Sequence, residues 1–366
     1  MGVFNLLFNK NKLLILLIAL GFFLSQFYLW SSGLPQFSHL VIILAIIILL
    51  FRIKIVNVYY LKIFFVFLIY VIFVNTIWYL IYLDFSYINS TIYWIFNFLL
   101  FLLLTSLGYE DKENLIKFIL FLIPFSYFLE IFIWLTGLGR YYFSPRYNGL
   151  FNDPNQMAFW ILSTCAIYLF LSKNQLKNIL IYFLALFLIG LTMSRSAFLG
   201  FLFITIALLI KQKGNLYNKI FLIISSILIF TLIFTSLYLK GFFDDVIVRF
   251  SDGFDQKNSQ TEERGFEMLL NYPEYLIFGA GQGGYQLYNS TGVEIHSTWF
   301  GIIFYYGIIG FLIFIYFMFS VFKKLSFTDK FIFLGPMFYG FFTYNARTII
   351  FWFLVVVFIF GSRKRN

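Results

Sequence analysis

The chain has 366 residues, of which 61% are hydrophobic and only 11% charged, with a mean hydropathy of +0.89. No water-soluble domain of this size carries so little charge, so the composition predicts a polytopic membrane protein, and the net charge of +10 belongs to membrane topology rather than to nucleic-acid binding. A single cysteine, Cys165, and two histidines, His39 and His296, exclude an intrachain disulfide, a cysteine-based zinc site and a histidine-rich metal site.

About twelve apolar runs follow one another, each near the ~20 residues that a bilayer requires. They cover 13–30, 39–51, 61–82, 91–107, 115–136, 156–172, 178–193, 197–210, 219–239, 297–321, 331–344 and 348–361. The first follows Lys10 and Lys12 as a signal sequence would, but it has no A-x-A cleavage pattern and reads as a retained helix. Spans 2, 8, 11 and 12 are short and are expected to be tilted, broken or paired. The predicted fold is an all-α bundle forming one integral membrane domain over residues 1–366.

Alternation of the spans sorts the basic residues. With both termini on the cytoplasmic side, 18 of the 26 basic residues face inward, and only Arg52, Arg363 and Arg365 among them are arginine. Lysine on that side is the usual positive-inside signal. The outward side carries Lys240, Lys257 and six arginines: Arg140, Arg146, Arg195, Arg249, Arg264 and Arg347. The guanidinium fork binds phosphate bidentately and keeps its charge, so this sorting points to an anionic, phosphate-bearing substrate at the outer face.

Two outward segments are longer than turns: 137–156, and the hydrophilic loop 240–295 between spans nine and ten. In the longer one, Ser259 and Glu262 have the spacing of a capping box. It predicts a surface helix through Arg264, Met268 and Leu269, ended by Pro273. Gly279-Ala280-Gly281-Gln282-Gly283-Gly284 contains G-x-G-x-x-G. It lacks the strand-to-helix context of a dinucleotide site, which leaves a tight turn or a backbone approach to phosphate through Gly281 and Gly284.

Single residues stand out against their bland readings. Asn152 or Asp153 fits a helix cap, which leaves Arg146 unexplained. Ser194-Arg195-Ser196 puts a charge close to hydrocarbon, either snorkelling or functional. His296 stands where the chain re-enters the membrane, on the face of the arginines, and imidazole takes a proton near neutral pH. His39 has no such company and reads as interfacial. Glu130 lies inside span five, either paired with an outward arginine or acting as a site carboxylate. Asp244-Asp245 is an adjacent acidic pair on the outer face, as is Glu262-Glu263, and no metal or other cofactor is expected.

Three segments, in this order, resemble the O-antigen polymerase and O-antigen ligase superfamily. They are Arg146-x-x-Gly149 leading into Asp153-Pro154-Asn155, Ser194-Arg195 at a helix end, and His296-Ser297-x9-Gly307-x-x-Gly310. The resemblance covers about residues 137 to 320, and Arg264, Pro273 and the glycines at 279, 281 and 284 match the family's loop in kind and order. It implies metal-independent glycosyl transfer at the periplasmic face of the bacterial inner membrane, from a glycan on undecaprenyl diphosphate. It also implies that Arg146, Arg195 and Arg264 hold the diphosphate and that His296 lies near the acceptor hydroxyl. Asn155, Arg249, Gly281, Gly284 and Arg347 complete the candidate set, with His296, Arg195 and Arg264 assigned to catalysis.

A polymerase, adding the glycan to another lipid-linked repeat unit and implying a chain-length regulator as partner, is the favoured expectation. A ligase would add it to lipid A–core. A transporter would want charges deep in several helices, whereas here nearly all such residues sit at the outward ends, with Glu130 the main exception.

Overall fold

The computed structural model describes residues 10–30, 35–51, 59–211, 264–288, 292 and 294–362, with four isolated helical positions between 224 and 235. Within them the chain is all-helical, with no strand and two isolated antiparallel bridges, Arg140 with Gly149 and Phe143 with Arg146. The helices are α1 Lys10–Leu24, α2 Phe37–Leu50, α3 Tyr59–Tyr82, α4 Ser86–Glu110, α5 Lys112–Leu135, α6 Pro154–Leu171, α7 Gln175–Thr192, α8 Arg195–Lys211, α9 Glu267–Asn271, α10 Thr298–Phe322, α11 Phe327–Tyr339 and α12 Ile349–Ser362. Two short 3-10 turns, Pro273–Leu276 and Tyr285–Leu287, follow α9.

Six of these helices, α3 to α7 and α10, are long and apolar enough to cross a membrane, and α1, α2 and α12 are shorter apolar helices. The chain is a multi-pass membrane protein. Eleven of the expected spans coincide with a helix, and the remaining one, span nine at 219–239, lies almost wholly outside the described residues.

Burial divides the helices into two kinds. On α12 every residue from Ile349 to Phe360 is buried, as expected of a short helix that is apolar all round. It packs against α4 and α6. The Trp352 ring stacks on Phe64 at 4.4 Å and meets Phe101 and Trp94 edge-on. By contrast, only 33% of the most apolar windows of α3 and α5 is buried. Phe65, Ile69 and Phe73 on α3, and Phe121, Phe128 and Phe132 on α5, are exposed. A continuous apolar outer surface of this kind is stable only in contact with lipid.

Two boundaries differ from the sequence expectation. The first span ends at Leu24 instead of Trp30, because Ser25 and Gln26 turn their side chains back onto the carbonyls of Phe22 and Phe23. The chain then runs as a strap, with the Tyr28 N–H bonded to the Leu150 carbonyl at 3.0 Å. In the long loop, the helix expected to run through Arg264 starts later. Gly265 takes a left-handed φ of +67°, leaving Arg264 in a turn ahead of α9. Met268 is buried against the body of the protein, and α9 stops before Pro273. The capping residues Ser259 and Glu262 lie outside the described residues, as does the acidic pair at 244 and 245.

Candidate functional site

Alternation of the helices brings the N-termini of α2, α4, α6, α8, α10 and α12 to one end of the bundle. A cavity of about 550 Å³ opens there. Its wall draws on the first turns of five of them: Ser38 and His39 of α2, Asn89 of α4, Asn155 of α6, His296 ahead of α10, and Thr348 ahead of α12. Each helix N-terminus carries about half a positive charge and N–H groups without intrahelical partners, so their convergence makes the cavity electropositive. Asp153 offsets part of this as the cap of α6, accepting from the Asn155 N–H at 2.5 Å.

The arginines add to the same field. Arg195 is the first residue of α8, Arg264 precedes α9, and Arg347 precedes α12 by two residues. Helices chosen for stability alone carry acids at that end, because a cation there opposes the macrodipole. At the other end of the bundle two lysines reach carbonyls at helix C-termini. Lys211 donates to the Leu169 carbonyl at 3.2 Å and Lys112 to that of Phe360, both near helix C-termini.

Arg146 lies behind the cavity wall. Its Nε donates to the Thr192 carbonyl at 2.9 Å and its Nη2 to Asn155 Oδ1 at 2.7 Å, and the residue is only 7% exposed. It therefore ties the end of α7 to the start of α6. Tyr339 of α11 completes the knot, donating to the Asn155 carbonyl at 3.0 Å and lying 3.2 Å from Ser194 Oγ. Asn155 is held from two sides as it faces the cavity. Arg195 follows Ser194 directly and is exposed, outside the cavity's own lining.

The glycine run and the histidine motif turn out to be two halves of one contact. α10 is interrupted at Gly307, whose φ of +64° and ψ of −177° break the helix. The break leaves the carbonyls of Phe304 and Tyr305 to be satisfied from outside the helix, and the N–H groups of Ala280 and Gly281 donate to them at 2.9 Å each. A Cβ on Gly279 would lie 2.3 Å from the Tyr305 oxygen, and one on Gly307 2.2 Å from the Ile277 oxygen, so neither position has room for a side chain. Gly310 instead meets the Tyr70 ring of α3. Gly281 and Gly284 face Tyr87 and, for Gly281, Trp78. Their backbone lies against aromatic side chains of the protein.

This wedge fixes Gln282, which is 6% exposed. Its Oε1 accepts from Trp94 Nε1 at 2.9 Å, Tyr306 at 3.0 Å and Tyr344 at 3.2 Å, and its N–H donates to Asn75. Its Nε2 donates to Glu294 Oε1 at 3.2 Å. The other oxygen of Glu294 pairs with Arg347 Nη1. Glu294, His296 and Arg347 all line the cavity. The backbone around His296 is pinned: its own N–H donates to the Arg264 carbonyl at 3.0 Å, and that of Ile295 to the Tyr305 hydroxyl at 3.0 Å.

Partial burial pushes the His296 pKa below its ordinary value of 6.5, with Arg347 and Arg264 pushing the same way and Glu294 and Asp153 opposing. The imidazole is therefore neutral at neutral pH and can accept a proton.

Of the residues singled out from sequence, His296, Asn155 and Arg347 line the cavity, and Arg264 abuts His296 through its backbone. Arg146 supports Asn155, Arg195 lies one residue from the knot, and Arg249 lies outside the described residues. Among the described residues Glu130 pairs with no arginine. It is buried under Gly149 and receives the Leu150 N–H, holding the 146–150 loop. Sequence reasoning missed Glu294, Gln282 and His39. Glu294 was legible only as a carboxylate two residues from His296, and His39 reaches the wall because α2 begins there. Among the described residues no three of His, Cys, Asp and Glu are grouped as a metal site.

No protein-family model and no curated protein sequence matches the chain.

Proposed function

We propose that the chain is a membrane glycosyltransferase, a surface-polysaccharide polymerase of the O-antigen type. It moves a glycan from undecaprenyl diphosphate onto another lipid-linked repeat unit. In this reading the protein lies in a bacterial inner membrane with both termini cytoplasmic and the cavity facing the periplasm. The sorting of lysines and arginines supports that orientation.

One observation carries the proposal: five helix N-termini, Arg347 and His296 share one cavity on an integral membrane body. Lipid diphosphate is a good leaving group, so the site must mainly stabilise the charge that builds on it. Fixed dipoles and arginines do that without reorganising. The acceptor hydroxyl attacks the anomeric carbon, and its proton passes to His296. The bond from that carbon to the diphosphate oxygen breaks, and the lipid diphosphate leaves with the electron pair. Direct displacement inverts the anomeric centre.

The test is incubation of the purified protein in liposomes with an undecaprenyl-diphosphate-linked repeat unit from its own organism and no other acceptor. A ladder of lengthening lipid-linked glycans is the expected product on a gel that resolves single repeats. Transfer only after lipid A–core is added would make the chain a ligase. Movement of unaltered substrate across the bilayer would make it a transporter.

A further inference from the structure

Glu294 and Arg347 face the same cavity but are held very differently. The Glu294 side chain is 18% exposed and that of Arg347 44%. Glu294 is tethered through Oε1 to Gln282, which Trp94, Tyr306, Tyr344 and Asn75 fix in turn. The Arg347 guanidinium lies over the Tyr344 ring, 5.6 Å from its centre, and lines the cavity. If the pair opens, Arg347 moves and Glu294 stays. A diphosphate offers more charge and more acceptor oxygens than one carboxylate, so it is the stronger partner for a guanidinium.

We propose that Glu294 is a place-holding counter-ion, granted the diphosphate donor argued above: the donor takes Arg347 from it, and the released carboxylate then supports His296 as the base. The position in sequence, two residues from His296 on one pinned segment, makes the second half possible. The groups facing His296 are Glu294 and Asp153, which favour its protonated form, and Arg347 and Arg264, which oppose it. Neutralising Arg347 with phosphate removes one opposing cation and leaves Glu294 unshared. The imidazole becomes a stronger base only when the donor is in place, which protects the lipid-linked glycan from reaction out of turn. Glu294 touches no reacting atom and is a positioning residue.

The test uses the full-length protein in detergent, titrated with inorganic pyrophosphate by calorimetry. Glu294→Gln keeps the side-chain shape and removes the competitor for Arg347. Because the pair is part-exposed, pyrophosphate binding should tighten about fivefold. The gain should vanish in the Glu294→Gln, Arg347→Ala double variant. With lipid-linked donor, Glu294→Gln should lower KM and also lower kcat at least about tenfold, and Glu294→Asp should restore part of kcat. Equal or weaker pyrophosphate binding by Glu294→Gln would overturn the place-holding role. Tighter binding with unchanged kcat would overturn the support of His296. Wild-type protein that binds no pyrophosphate at all would instead sink the diphosphate donor, and this proposal with it.

Discussion

Arg146 and Arg347 are the same residue type at the same end of the bundle, and the protein uses them in opposite ways. Arg146 is 7% exposed and spends its fork on the Thr192 carbonyl and Asn155. Arg347 is 44% exposed over a cavity and holds one carboxylate that is itself tethered elsewhere. The first is a bolt between α6 and α7, since a buried cation without partners costs several kcal/mol. The second is a charge kept available. Arginines at this end of the bundle thus divide into those that brace the cavity wall and those that line the cavity, and burial separates the two classes.

The largest expected effect falls on the ligand side. His296→Ala should cut glycan transfer by about 100-fold or more while leaving the melting transition unchanged, because the side chain lines an open cavity and its backbone does the anchoring. A melting transition that collapsed with the activity would move His296 to the structural class. Arg146→Ala should do the opposite, costing about 3 kcal/mol of stability through the unpaired Thr192 carbonyl and Asn155. Arg146→Lys should rescue little of it, since an ammonium cannot reproduce the fork. The check is denaturation in detergent with intrinsic fluorescence. Arg347→Ala should weaken donor binding about tenfold and change stability by less than about 1 kcal/mol, which a KM measurement and the same denaturation experiment separate. If Arg347→Ala melted the protein and Arg146→Ala spared it, the comparison would be reversed.

The smallest effect is in pH. The base must be neutral, and the folded His296 pKa lies below 6.5. Transfer should therefore persist below the pH at which free imidazole is half protonated, and fall only as pH drops through the lowered value. A rate–pH profile of kcat/KM reports it. In Glu294→Gln, a group that raises this pKa is lost, so the acid limb should move further down.

Much of the fold was legible because a polar backbone in an apolar solvent leaves little choice. Each long apolar run becomes a helix that satisfies its own N–H and C=O groups, and alternation then fixes which helix ends share a face. That is why the sequence alone groups the arginines. The ends of elements were less legible. Gly265 breaks a helix that the pattern continues, and Ser25 and Gln26 end one that hydropathy carries on to Trp30.

Tertiary structure decided what no local pattern contains. The glycines at 279 and 307 need each other's segments, because the break in α10 exposes carbonyls that only Ala280 and Gly281 reach. Gln282 becomes a hub through partners near residues 75, 94, 306 and 344, and so Glu294 acquires a fixed place opposite Arg347. The sequence by itself determined the helices, the membrane and the electropositive end, since these follow from solvation and chain alternation. Which arginine is a bolt and which faces the cavity depends on burial and on hydrogen bonds between segments far apart in the chain, and packing alone supplies those.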